Sequence, residues 1–196
     1  MIAARIARKL VALGFRVKSR WWRGRFQIAA WLRGGRLTIG KNVRFLSRVV
    51  FLGSGAVILD DGVSLGFPPA TASRRPIMLQ PRESEAVIKI GEGTWIVNGT
   101  EMIARGRITV GKNCRIGARC VILDSDFHSL DASRRDDPGP TREVEIGNGV
   151  WLGLEVVVLK GMRIGDNSVV AARTVVTAPV PPASIVAPPQ SRQQPL

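Results

Sequence analysis

Apolar residues return at every sixth position over much of this chain, a spacing that neither a helix of period 3.6 nor a half-buried strand of period two produces. Counted from Ile146, six successive hexads begin with Ile146, Leu152, Val158, Ile164, Val170 and Val176, and Gly or Ala follows four of these residues. The fifth positions are mostly small or medium: Val150, Val156, Met162, Ser168, Thr174 and Val180. The same frame fits Val110, Ile116 and Ile122, with Cys114 and Cys120 in the fifth column, then Ile90, Ile96 and Met102, then Ile39, Phe45, Phe51, Val57 and Val63. About seventeen hexads holding one frame is an internal repeat, not chance alternation.

An aliphatic residue every six positions calls for short extended segments joined by tight corners, with the large side chain inward and Gly supplying the unusual backbone angles. Three hexads close one triangular coil, and stacked coils pair through their backbones over a continuous aliphatic column. The predicted class is therefore mainly β, a parallel solenoid over residues 37–182. A basic, Trp-rich segment (1–36), partly helical, precedes it, and a Pro/Gln-rich tail (183–196) follows. Two stretches break the frame, 66–86 and 127–143, and both read as loops rich in Pro, Ser, Asp and Arg. Loops leaving a rigid scaffold are where function concentrates.

Charge divides the chain in the same place. Of 29 Lys and Arg residues, 13 lie between Met1 and Leu59, where there is no Asp or Glu, while the remainder of the chain is nearly balanced. Ile2, Ile6, Leu10 and Leu13 recur near helical spacing with Arg5, Arg8 and Lys9 between them. Trp21, Trp22, Phe26 and Trp31 follow, interleaved with Arg20, Arg23, Arg25 and Arg33. Two readings fit residues 1–33: peripheral contact with an anionic membrane, or packing over the end of the core. No recognition motif accompanies the charge, so nucleic acid is not an expected partner. No apolar run reaches the roughly 20 residues of a spanning helix. Two cysteines outside any Cys/His cluster suggest neither a disulfide scaffold nor zinc, and a reducing cytoplasm is the expected setting, peripheral to the inner membrane face if the first reading holds.

The second loop carries the only histidine, in Asp124-Ser125-Asp126-Phe127-His128. A near-neutral imidazole is suited to taking a proton from an alcohol that attacks a carbonyl. Asp124, Asp126 or a backbone carbonyl would fix its tautomer.

The ordered set Asn98-Gly99-Thr100, Ile108 to Gly117, Asp124 to His128, Ile146 to Gly153 and Ile164 to Val170 resembles the maltose, galactoside and capsular-sugar O-acetyltransferases of the hexapeptide-repeat kind. That resemblance implies a single-stranded left-handed parallel β-helix and acetyl-CoA as acyl donor without any metal. It makes His128, with Asp126 beside it, the base for direct attack of a sugar hydroxyl on the thioester. Asn98 is implied to contact the acceptor, and the Leu154 amide to bind the thioester oxygen. Trp151 is implied to line the CoA channel, with Ala172 and Thr177 along the pantetheine and nucleotide. Ala178 stands where related enzymes carry a lysine near the CoA phosphates, and Arg173 or Lys160 is the candidate substitute. A homotrimer follows from the resemblance, with each site in a cleft between two chains and a small-molecule or lipid-linked sugar as acceptor.

Three other readings compete. A zinc-dependent carbonic anhydrase of the same fold needs three imidazoles at each interface, which one histidine per chain does not supply. N-acetylation of an amino-sugar nucleotide or another small acceptor keeps the chemistry and changes the acceptor. A non-catalytic β-helix scaffold subunit is the remaining alternative.

Overall fold

The computed structural model describes residues 17, 19–67 and 75–188. Within them the chain winds into a three-faced parallel coil, each face a ladder of short strands. The first face stacks β1 (Arg36–Ile39), β4 (Ala56–Leu59), β7 (Val87–Ile90), β10 (Arg107–Val110), β13 (Val144–Ile146) and β16 (Arg163–Ile164). The second stacks β2 (Arg44–Phe45), β5 (Ser64–Leu65), β8 (Trp95–Ile96), β11 (Arg115–Ile116), β14 (Trp151–Leu152), β17 (Val169–Val170) and β19 (Ile185–Val186). The third stacks β3 (Val49–Phe51), β6 (Ile77–Pro81), β9 (Glu101–Ala104), β12 (Val121–Leu123), β15 (Val157–Val158) and β18 (Val175–Val176).

Register explains the hexad. On the first face Ile39, Leu59, Ile90, Val110, Ile146 and Ile164 lie over one another, on the second Phe45, Leu65, Ile96, Ile116, Leu152, Val170 and Val186. Nearly all are sealed from solvent, so the first-position residues form the core. The fifth column is more than filler. Thr94 and Thr100 donate their hydroxyls to the carbonyls of Gly111 and Gly117 at 2.7 and 2.9 Å, one coil on. Cys114 and Cys120 repeat this with their thiols to Gly147 and Gly153 at 3.0 and 3.1 Å. Each small donor satisfies an inward-turned carbonyl that an aliphatic side chain would leave unpaired.

Corners place the fourth residue of a hexad in the left-handed region. At the first corner these are Asn42, Gly62, Gly93, Asn113, Gly149 and Asn167, residues that tolerate it. At the second corner Gly99 is followed by Arg119, Glu155 and Arg173, at φ of 57°, 59° and 61°. These three lock together: Arg119 Nε donates to Glu155 Oε1 at 2.8 Å and Arg173 Nε to Glu155 Oε2 at 2.9 Å.

Three sequence expectations are corrected. Eight residues, not six, separate the core positions Phe51 and Leu59, so the frame through Val57 and Val63 slips by two. Val57 resembles a first position because β4 is four residues long and its Val57 and Leu59 both point inward. Val63 is a fifth-column residue before Leu65. Second, 66–86 is not one loop: Ile77, Leu79 and Pro81 of β6 are buried and pair between β3 and β9, leaving excursions on either side. Third, the coil continues past residue 182, because Ile185–Val186 pair with Val169–Val170.

One helix, α1 (residues 19–32), covers the open end of the first coil. Phe26 is fully buried, its ring 5.6 Å from that of Phe45 and 5.7 Å from that of Phe51. Burial of that ring contributes about 2–3 kcal/mol and shields a core that no further coil covers. Ser19 Oγ accepts the Phe45 amide at 2.9 Å, tying the helix to the first coil. The helix proposed around Ile2 to Leu13 lies outside the described residues. No helix among the described residues is long and apolar enough to cross a membrane.

Candidate functional site

The loop bearing His128 leaves the third corner after β12 and returns at β13. Its root is Asp124, fully buried, whose carboxylate accepts the Arg105 and Gly106 amides, both at 2.8 Å. Burial raises the pKa of this carboxyl while those amide bonds oppose the shift. Ser125 bridges to Thr141 across the base of the loop, and Ser129 N donates to Asp137 O at 2.9 Å. A 3-10 turn at Ala132–Arg134 is capped by Asp131, which takes the Ser133 amide and hydroxyl.

Two backbone features aim the imidazole. Phe127 sits at φ 63°, an uncommon angle for an aromatic residue, with the Arg82 guanidinium 5.2 Å above its ring. Gly139 passes so close that a Cβ there would stand 2.3 Å from the His128 carbonyl oxygen. The ring itself is exposed, and its Nδ1 lies 3.1 Å from the carbonyl oxygen of Arg135. A carbonyl only accepts, so Nδ1 donates there, and in the neutral ring this leaves the Nε2 lone pair free, as a general base requires. Of the three orienting groups named from sequence, the backbone carbonyl is the one in contact. Asp126 instead takes Lys160 Nζ at 2.6 Å, an ion pair that ties the loop to the coil below.

Other predicted residues gather at the second corner. Asn98 is nearly buried and its Oδ1 accepts the Phe67 amide at 2.9 Å, setting the start of the first excursion. Trp151 is 56% exposed on the second face. With Phe67, Trp95, Val97, Arg115 and Gly117 it walls an open pocket of about 340 Å³. Trp95 is fixed there by its indole N–H on Gly66 O at 2.7 Å, with Arg44 5.8 Å from its ring. Sequence reading missed Trp95, Phe67 and Arg115, although a signal existed. Trp95, Arg115 and Trp151 each precede a core residue in successive coils, so the register stacks them outward in one column.

Corner amides distinguish the two edges of that face. At the first corner the Lys41, Lys112 and Asn148 amides are capped by Asp61, Asn148 and Asp166 side chains at 2.7 to 2.9 Å. At the second corner the equivalent amides of Ala118, Leu154 and Ala172 take no protein acceptor among the described residues, although their neighbours do. They form an open ladder of donors suited to carbonyl oxygens. Arg173 stands beside it, its side chain 75% exposed and its Nε on Glu155. Thr177 is exposed after β18, at the third corner with Lys160 and the His128 loop.

The predicted residues thus fall into two groups on one chain. Asn98, Trp151, Leu154, Ala172 and Arg173 belong to the second face and corner. His128, Asp126 and Thr177 belong to the third corner, one face away. Neither cysteine offers a nucleophile: burial pushes the Cys120 thiol up to about 11 and raises that of Cys114 as well.

Comparison with known proteins bears on the fold and the kind of chemistry. The family described as "Hexapeptide repeat of succinyl-transferase" matches residues 107–123 and 143–178. The chain is 27% identical over 135 residues to galactoside O-acetyltransferase of Escherichia coli (strain K12), covering 57% of this chain and 66% of that one. It is 38% identical over 82 residues to polysialic acid O-acetyltransferase of Neisseria meningitidis, covering 40% and 37%. The chain therefore spans less than two thirds of these relatives' lengths. Among solved structures, a hexapeptide-repeat-containing acetyltransferase of Vibrio cholerae complexed with acetyl-CoA superposes with TM-score 0.53 at 26% identity, over 85% of this chain and 72% of that one. The polysialic-acid-specific acetyltransferase NeuO shares the fold, with TM-score 0.59 at 23% identity over 80% and 79% of the two chains. Sixfold repeat, three-faced coil and these likenesses together give the chain the left-handed parallel β-helix fold of the hexapeptide-repeat acetyltransferases it resembles.

Proposed function

We propose that this chain transfers an acetyl group from acetyl-CoA to a sugar hydroxyl, in a site that two copies of a homotrimer build together. One observation carries the reading: a correctly tautomerised imidazole and an open ladder of amides lie on different corners of the same coil. In this reading the heterologous contacts of a threefold ring bring the third corner of one chain against the second corner of the next. Its names come from the relatives: galactoside and polysialic acid O-acetyltransferases, and a neighbour complexed with acetyl-CoA. Two buried thiols with no disulfide suit a reducing cytoplasm.

In this mechanism His128 Nε2 takes the proton of the acceptor hydroxyl as the oxygen attacks the thioester carbonyl. The oxyanion of the tetrahedral intermediate receives the Leu154 N–H, and no covalent acyl-enzyme forms. Collapse breaks the carbon–sulfur bond, and the imidazolium returns its proton to the CoA thiolate. The donor lies along the Leu154 and Ala172 amides beside Trp151, with Arg173 and Thr177 toward its nucleotide. The acceptor, a lipid-linked or polymeric sugar, stacks in the pocket of Trp95, Phe67 and Trp151, near Asn98.

Release of free thiol from acetyl-CoA, scanned across sugar acceptors, tests the reaction. His128→Ala lowers its rate by a factor on the order of 10² to 10⁴; an undiminished rate removes His128 as base. Co-expression of His128→Ala with Asn98→Ala tests the shared site. Random assortment leaves about a quarter of interfaces with both intact groups, so activity returns to about that level. No recovery means each chain works alone.

A further inference from the structure

α1 carries two apolar faces, and only one is used. Its inward face, centred on Phe26 and Ala30, closes the end of the coil. Opposite it Trp21, Ile28, Trp31 and Leu32 are 55%, 59%, 77% and 67% exposed, at spacings of seven, ten and eleven residues that return to one side of a helix. Arg20 and Arg25 flank this stripe, and the Arg25 guanidinium sits 5.0 Å from the Trp21 ring. No acidic residue occurs before Asp60.

We infer that the outward stripe of α1 docks on an anionic bilayer, with Trp21, Trp31 and the aliphatic pair entering the headgroup boundary and the arginines meeting lipid phosphates. Charge decides the occupant. A second copy seated on the same stripe by a twofold axis brings Arg20 and Arg25 against their own equivalents with no carboxylate between them. An anionic lipid surface supplies the missing negative charge, and Trp beside Arg is the pairing suited to that boundary. Because Phe26 anchors the helix from the other side, the stripe cannot be buried by rolling α1 over. The inference stands independently of acyl transfer. If both hold, three such helices at one end of a trimer share the same surface and reinforce one another.

The test is flotation of the full chain with vesicles of phosphatidylcholine containing about 30% phosphatidylglycerol, against phosphatidylcholine alone. The wild type is expected to float with the anionic vesicles, less so as salt is raised, and lipids brominated near the headgroup to quench its tryptophan fluorescence. Trp21→Glu combined with Trp31→Glu is expected to lower the bound fraction by about tenfold or more. Ile28→Glu acts on the same stripe and is expected to change it the same way. Thermal unfolding stays close to that of the wild type, since these side chains are mostly exposed and Trp21 gives up only its edge contact with Trp22 and the Arg25 guanidinium over its ring. Wild-type flotation by the Trp variants overturns the inference, because any remaining binding then comes from charge elsewhere. So does a change in oligomeric state in these variants, which assigns the stripe to another copy. Thiol release from acetyl-CoA in the same samples shows separately whether acyl transfer holds.

Discussion

The Nδ1 of His128 stands 3.1 Å from the Arg135 carbonyl oxygen, so the tautomer of this imidazole is set by the loop's own backbone and not by either neighbouring aspartate. Asp126 has a different partner in Lys160. Asp126→Asn is therefore expected to lower the rate through a looser loop, by about tenfold or less and so by far less than His128→Ala does. Lys160→Met removes the same ion pair, and the double variant is no worse than either single one. The pair is partly exposed, so about 1 kcal/mol of local stability is at stake. Initial rates of the variants check this, and a loss in Asp126→Asn as large as that in His128→Ala places that carboxylate on the imidazole instead.

Gly139 limits what the loop can become. Its Cα lies so near the His128 backbone that any Cβ overlaps the carbonyl oxygen at 2.3 Å. Gly139→Ala must move the segment carrying His128, and a displacement of about 1 Å is enough to cost on the order of 100-fold in rate. Because most of the loop is exposed and it joins the coil chiefly through Asp124 and the Asp126–Lys160 pair, the melting temperature is expected to fall by no more than about 2–4 °C. The paired measurement is kcat and thermal unfolding; normal turnover in Gly139→Ala shows that the loop absorbs the extra atom without redirecting His128.

How far the sequence reveals this depends on what repeats. Core positions from Ile146 to Val176 are legible because one residue recurs with one environment every six positions, and the three-faced parallel coil follows from that, while its hand does not. Val57 misleads for a physical reason: a four-residue strand buries two alternate residues, so an eight-residue step imitates six. Ile77 to Pro81 is obscured because the polar excursion before it hides the return to the third face. His128 stands out as a lone imidazole in a repeat interruption, yet its orienting group is a backbone carbonyl, which no side-chain pattern records. Trp95 and Arg115 become visible only when the hexads are stacked in register, since thirty-six residues separate Arg115 from Trp151 and twenty separate it from Trp95.

Glu155 gives a pH-dependent prediction. Its carboxylate is held below the ordinary range, first by the Arg173 hydrogen bond and then by that of Arg119. A depressed carboxylate stabilises the fold at pH values above its ordinary pKa, and that contribution fades as pH falls through the lower, folded-state value. Glu155 holds a positive φ between two arginines that do the same, and the Leu154 amide precedes it. Glu155→Gln is thus expected to melt below the wild type at neutral pH and to converge with it in acid, once the wild-type carboxyl is protonated too. The Arg173 pair is exposed and the Arg119 pair half-buried, so the gap is small and shrinks with added salt. With the corner loosened, the variant is also expected to show a raised KM for acetyl-CoA and a lower kcat, because the neighbouring Leu154 amide is the proposed oxyanion donor. Melting curves from neutral pH into acid decide the matter: a gap that persists unchanged means that Glu155 acts through shape or a neutral hydrogen bond, and its ion pairs with Arg119 and Arg173 then contribute nothing to the corner.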